Sequence, residues 1–171
     1  MENKMAANTV TFRGLRDEEV YEDFEVEKAV AMESEVVKNF IEKDTGMEPL
    51  RFPIPCRNIK SGKVLEMVLD YCKFHAHARS FTIPDDDVKT WDNEFAEKAL
   101  SADKNQVTFC HILLAANFLQ IEDLFCLLLK AGADLLKDKS VEELRQIFKI
   151  ENDFSEQEEE AIVQETKWTY A

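Results

Sequence analysis

The stretch TVTFRGLRDEEVYEDFEVEKAVAM, residues 9–32, decides the fold class. Val10 and Phe12, then Phe24 and Val26, stand two apart, the spacing at which side chains line one face of a strand. Gly14 to Glu19 between them is polar and turn-like, so the stretch predicts a β-hairpin, with a short helix at Glu27 to Met32 leaving it. Strands followed by a run of helices make an α+β chain.

Working outward, SEVVKNFIEK (34–43) repeats Val36, Val37, Phe40 and Ile41 at helical spacing. EPLRFPIPC (48–56) carries prolines on both sides of Ile54, which suits a short edge strand. SGKVLEMVLDYCKFH (61–75) puts Val64, Leu65, Val68, Leu69 and Cys72 on one helical face. From about 78 to 106 long periodic runs are missing, so a linker is expected there, with a short aromatic anchor in which Trp91 and Phe95 share a face.

Two segments, 107–121 and 122–137, are apolar nearly all round, the mark of a buried spine or of a surface that a partner covers. Gly132 sits inside the second at a cost of roughly 1 kcal/mol relative to alanine, a point where that helix is expected to be weak. Ser140 with Glu143 and Ser155 with Glu158 have the spacing of capping boxes and predict helices starting near 141 and 156.

The chain has 171 residues, 45% of them hydrophobic and 33% charged, enough apolar material for a real core. A net charge of −14 repels phosphate backbones and anionic lipid, so nucleic-acid and membrane-surface roles are excluded as first readings. Cys56, Cys72, Cys110 and Cys126 form no regular framework, MENKMAANTV has no signal-peptide core, and the longest apolar run, Leu124 to Leu129, cannot span a bilayer. A soluble protein of a reducing compartment is expected.

Catalytic chemistry finds little to work with. Gly62-Lys63 lacks the rest of a phosphate loop. Cys72, His75 and His77 are zinc-ligand types, but on one helix 77 points away from 72 and 75, which predicts a core cysteine and two rim histidines. Cys110 and His111 are adjacent on a helix and cannot face each other, so Cys110 reads as a small core or interface residue. Glu156 to Glu160 read as a solvated helix face. No catalytic group, metal site or cofactor is expected. What stands out instead is surplus apolar helical surface from Leu124 to Phe154, and Trp168, an aromatic of the kind that anchors interfaces.

The order FEVEKAVAMES (24–34), a proline-flanked strand, VLDYCKFH (68–75), DDDVKTWDNEF (85–95), ILLAANFLQI (112–121), SVEELRQIFKIENDFSEQEEE (140–160) and Trp168 closely resembles the S-phase kinase-associated adaptor family, most of all its plant branch. The resemblance runs over nearly the whole chain from about residue 9. It implies a BTB/POZ fold, a small three-stranded sheet flanked by helices, over 9–137 after a flexible 1–8, and extra C-terminal helices over 138–171. It further implies a non-catalytic adaptor of an SCF-type cullin-RING ubiquitin ligase, found in nucleus and cytoplasm, that bridges a cullin to interchangeable F-box receptors and reaches the RING subunit indirectly.

By the same resemblance, Asn117 and Phe118 fall in the cullin-contacting motif, and Phe109, Phe125, Leu129, Leu136, Ile150, Phe154 and Trp168 fall where the family meets the F-box. Phe118 stands where the family usually has tyrosine, Glu122-Asp123 where it has Lys-Gly, Cys110 where it has phenylalanine and Gly132 where it has valine. The alternative expectation is therefore a diverged BTB module that holds F-box proteins without a cullin, or that self-associates as a homodimer when free.

Overall fold

The computed structural model describes residues 8–17, 20–43, 50–53, 59, 61–104 and 106–170. The expected flexible stretch 1–8 lies, apart from Asn8, outside them, as do Ile54 and Cys56. The chain divides into two units, Met1–Leu135 and Leu136–Ala171.

In the first unit β1 (Thr9–Asp17) pairs antiparallel with β2 (Val20–Glu27) and parallel with β3 (Leu50–Pro53), giving the order β2-β1-β3. The register sets Val10 against Val26, and Phe12 against both Phe24 and Phe52. Val10, Phe12, Val26 and Phe52 are buried on one face, with the Phe12 and Phe52 rings edge-on at 5.8 Å. On the other face Arg13 donates to both Asp23 oxygens at 2.8 and 3.0 Å, and this hydrogen-bonded guanidinium holds the Asp23 carboxyl below the usual carboxylate range. The turn expected over Gly14 to Glu19 is corrected for 14–17, which are strand: β1 continues to Asp17, and β2 starts at Val20. Ladder hydrogen bonds need only the backbone, so a polar run can extend a hairpin.

The parallel return from β1 to β3 runs through α1 (Lys28–Ala31) and α2 (Glu35–Lys43). Ser34, buried between them, accepts from the Val37 N–H at 3.2 Å and donates to the Leu119 carbonyl at 2.5 Å, so one hydroxyl caps α2 and ties it to a distant helix end. α3 (Gly62–Phe81) starts at Ser61, whose hydroxyl accepts from Val64 N–H, and buries Val64, Leu65, Val68, Leu69 and Cys72 as the spacing predicts. It ends at Thr82, which takes the left-handed conformation at φ 51°.

The linker expected over 78–106 is corrected: most of it is a 16-residue helix, α4 (Asp85–Leu100). Its buried positions are Phe95, Ala96 and Ala99, two of them small, so its apolar stripe is too narrow to register as a periodic run. Asp85, Asp86 and Asp87 are its first turn, where carboxylates favour the positive end of the helix dipole. Trp91 stacks on Phe74 of α3 at 4.0 Å and on Phe95 at 5.3 Å, and His75 Nε2 lies 2.8 Å from Asp92 Oδ1.

α5 (Val107–Leu119) and α6 (Glu122–Leu136) follow. Asp103 caps α5 by accepting from the N–H groups of Val107 and Thr108 at 2.9 and 2.7 Å. Ile112, Ala115, Ala116, Leu119, Leu124 and Leu128 fill the core, so the spine is buried along one face only. Gly132 does not interrupt α6, and the Phe109 ring packs beside it, 3.4 Å from where a β-carbon would stand, an ordinary van der Waals distance.

The second unit holds α7 (Val141–Phe148), α8 (Glu156–Thr166) and a final 3-10 turn, Lys167–Tyr170. Both expected capping boxes are formed, each with the serine hydroxyl bonded to the N–H three residues on and the glutamate returning to the serine N–H. Lys149 closes α7 at φ 52°, with the Ile150 N–H donating to the Arg145 carbonyl at 2.9 Å. Arg145 and Asn152 both donate to Glu159 Oε1, at 3.0 and 2.8 Å, and so link α7, the loop and α8.

Candidate functional site

Two surfaces carry the residues singled out from the sequence, one in each unit. In the first unit, Asn117 is exposed near the end of α5 and Phe118 is half-buried beside it. Along the same helix Val107, Cys110 and Leu114 are exposed at intervals of three and four, so α5 presents an apolar stripe that ends at Asn117. Val107 and Leu114 carry no mark in the sequence, because in a segment apolar all round periodicity cannot say which face is left out. Cys110 is not a core residue, since the core side of α5 is taken by Phe109, Ile112, Ala116 and Leu119.

Phe109, expected at a partner surface, is buried, with its ring beside Gly132. Phe125 is half-buried, and Leu129, one turn along α6, is exposed. Leu136, the last residue of α6 and the first of the second unit, is half-buried.

Asn117 and Phe125, expected on different partner surfaces, line the same open cleft of about 820 Å³. Its walls also carry Tyr71 and His75 of α3 and the carboxylates Glu33, Glu35, Glu122 and Asp123. Glu33 is paired with Arg79, and Glu35 with Lys38 at 3.4 Å. Glu122 and Asp123 have no ion-pair partner among the described residues, so the cleft is negative beside Asn117. Burial, with the charges of Asp92 and Asp123, pushes the Tyr71 phenol far above its ordinary value, so its hydroxyl stays neutral.

In the second unit no residue of α7 or α8 is buried. Val141, Phe148, Ile150, Phe154, Ile162, Val163 and Trp168 are exposed, and Trp168 keeps 77% of its surface. Phe154 is presented by a tight turn in which its N–H donates to Asn152 Oδ1 at 3.3 Å. Helices of eight and eleven residues are marginal without packing, and here caps and the Glu159 hydrogen bonds hold them while the apolar side chains stay uncovered.

The titratable groups fit binding better than catalysis. Cys72 is buried, which pushes its thiol up to about 12, where it is a poor nucleophile and ligand. His75 stacks on Tyr71 at 4.1 Å and His77 stands at the rim beside Phe81. Among the described residues no three histidine, cysteine or carboxylate groups come together to hold a metal, and no helix is long and apolar enough to cross a membrane.

Two family models match the sequence: "Skp1 family, tetramerisation domain" over residues 17–77 and "Skp1 family, dimerisation domain" over 122–169. SKP1-like protein 14 of Arabidopsis thaliana is 41% identical over 149 residues, covering 87% of this chain and 91% of the relative. SKP1-like protein 11 of the same plant is 38% identical over the same shares, and SKP1-like protein 1 of Oryza sativa subsp. japonica is 36% identical over 166 residues, covering 87% and 90%.

Proposed function

The chain belongs to the Skp1 family, and from that premise we propose that it is a non-catalytic adaptor of an SCF-type cullin-RING ubiquitin ligase, joining a cullin to interchangeable F-box receptors. Its first unit is a BTB/POZ-like α+β domain, and its second is a pair of short helices. In this reading the F-box is held by Leu129, Leu136, Ile150, Phe154 and Trp168, with Phe109 and Phe125 supporting them, and the cullin meets Asn117 and Phe118. The RING subunit is reached only through the cullin. The benefit is proximity: a substrate held by the receptor meets the ubiquitin-charged enzyme at raised effective concentration, and no group of the adaptor reacts.

The observation that carries the reading is the second unit, whose capped helices bury none of their residues and leave seven large apolar side chains to solvent. Such a surface is the half of a core that a partner completes. The test is to measure binding of an F-box protein and of a cullin N-terminal region, separately, to the full chain. Both should bind; failure of the F-box protein to bind removes the reading.

One observation favours a second reading, in which F-box proteins are held without a cullin or the chain pairs with itself. Glu122 and Asp123 make the cleft beside Asn117 negative, and the exposed stripe on α5 is a surface a second copy could cover. F-box binding with no cullin binding, or a dimer by light scattering that F-box protein dissolves, would favour it. The expected nuclear and cytoplasmic distribution is tested by imaging a tagged chain in plant cells.

A further inference from the structure

β2 stands at an edge of the sheet. Among the described residues β1 is its one neighbour in the sheet, and over Asp23–Val26 no backbone hydrogen bond leaves the sheet. Alternate residues of an edge strand turn their N–H and C=O groups outward, where another strand can pair with them. Beside this edge lies a groove of about 390 Å³ between β2 and the C-terminal half of α3. Glu25 and Glu27 stand on the strand side, Val30 lies at the base, and Ala76, His77 and Phe81 form the helix side.

Phe81 is the anomaly that points to an occupant. It is 70% exposed, yet its ring is held 4.3 Å from the His77 ring at the mouth of the groove. The strand side is acidic: Asp23, Glu25 and Glu27 alternate along one face, Asp23 is already paired with Arg13, Glu25 accepts from the Thr9 hydroxyl at 2.9 Å, and neither Glu25 nor Glu27 has an ion pair among the described residues. Lys73, on the far wall, is already paired with Asp70 at 3.3 Å. A second copy of β2 laid on this edge would set carboxylates against carboxylates, so self-pairing is disfavoured. Charge repulsion explains why the edge stays unpaired, but leaves the groove and its exposed ring unexplained.

We propose that the β2 edge and its groove bind an extended segment of a partner protein that alternates cationic and apolar residues, as an added strand. The period of two sorts such a segment. Its lysines or arginines face Glu25 and Glu27, and its apolar side chains enter the groove against Ala76 and Phe81.

The test uses the full chain and the peptide Ac-KVKVK-amide, with Ac-EVEVE-amide as comparison, read by calorimetry and by amide hydrogen exchange. The basic peptide is expected to slow exchange of outward amides within Asp23–Val26. Its affinity should fall at least tenfold in Phe81→Ala and in Glu25→Gln/Glu27→Gln, and remain unchanged in Glu94→Gln, which alters an exposed carboxylate on α4. These side chains are solvent-facing, and an unchanged melting temperature confirms that the variants fold. Three results would overturn the proposal: no binding, equal binding of the acidic peptide, or binding that leaves β2 exchange unchanged and weakens equally in Glu94→Gln, which is attraction to net charge alone.

Discussion

Replacing Trp168 by alanine separates a partner anchor from a structural residue. An indole that buries roughly 250 Å² when fully covered, and is 77% exposed in the free chain, leaves about 190 Å² to be covered on binding. At about 25 cal/mol per Å² the ceiling is about 5 kcal/mol, and alanine truncation of such anchors commonly realises about 2–4 kcal/mol of it. F-box affinity should therefore fall about 30- to 700-fold. The free chain loses almost no burial, so its stability should change by less than about 0.5 kcal/mol, the usual range for surface substitutions. Calorimetry against an F-box protein, beside scanning calorimetry of the free variant, reads both numbers. Unchanged affinity, or a large fall in melting temperature, would refute the reasoning, the second because the indole would then be core.

Asn117→Ala should weaken cullin binding while leaving F-box affinity within twofold, since it alters the first unit's surface alone; equal loss of both partners in pull-down would contradict that. Ser34→Ala removes a helix cap and leaves the buried Leu119 carbonyl short of a donor, a combined cost of about 2 kcal/mol, read as a fall in Tm of roughly 4–8 °C. Alkylation of the native chain near pH 8 should reach exposed Cys110 and Cys126 first, and Cys72, with its thiol pushed up to about 12, only after unfolding. Glu158 is held below its ordinary range by the N–H and hydroxyl of Ser155. The sign follows: a lowered folded pKa means the cap's contribution is complete above the unfolded carboxylate value, and is lost as pH falls through the lower folded one. The Ser155 amide resonance should follow that acid transition, and an unresponsive amide would contradict it.

Much of the fold was legible because alternation and capping are local. Val10 and Phe12, then Phe24 and Val26, mark the two strands of the hairpin by spacing alone, and both capping boxes follow from serine-glutamate spacing. α4 was not legible, because its core contribution rests on two alanines and one phenylalanine, and its acidic first turn looks like solvent-exposed linker. The exposed apolar surface was half legible. Trp168 and Phe154 stand out by type, whereas Val107 and Leu114 are marked only once α5 is packed and one of its apolar faces is left over. Phe109 shows the converse: Gly132, which reads as a weak point in a helix, is where that ring packs. The acidic cleft beside Asn117 draws on α2, α3, α5 and α6 and the turn before α2 together, and no single stretch of sequence contains it.

The central claim is that one molecule joins two partners. The most direct measurement is light scattering on a size-exclusion column loaded with the full chain, an F-box protein and a cullin N-terminal region. The adaptor account predicts a single peak with the mass of one copy of each, and a cullin that joins the F-box protein only when the chain is present. Peaks that contain the chain with one partner but never with both would contradict it.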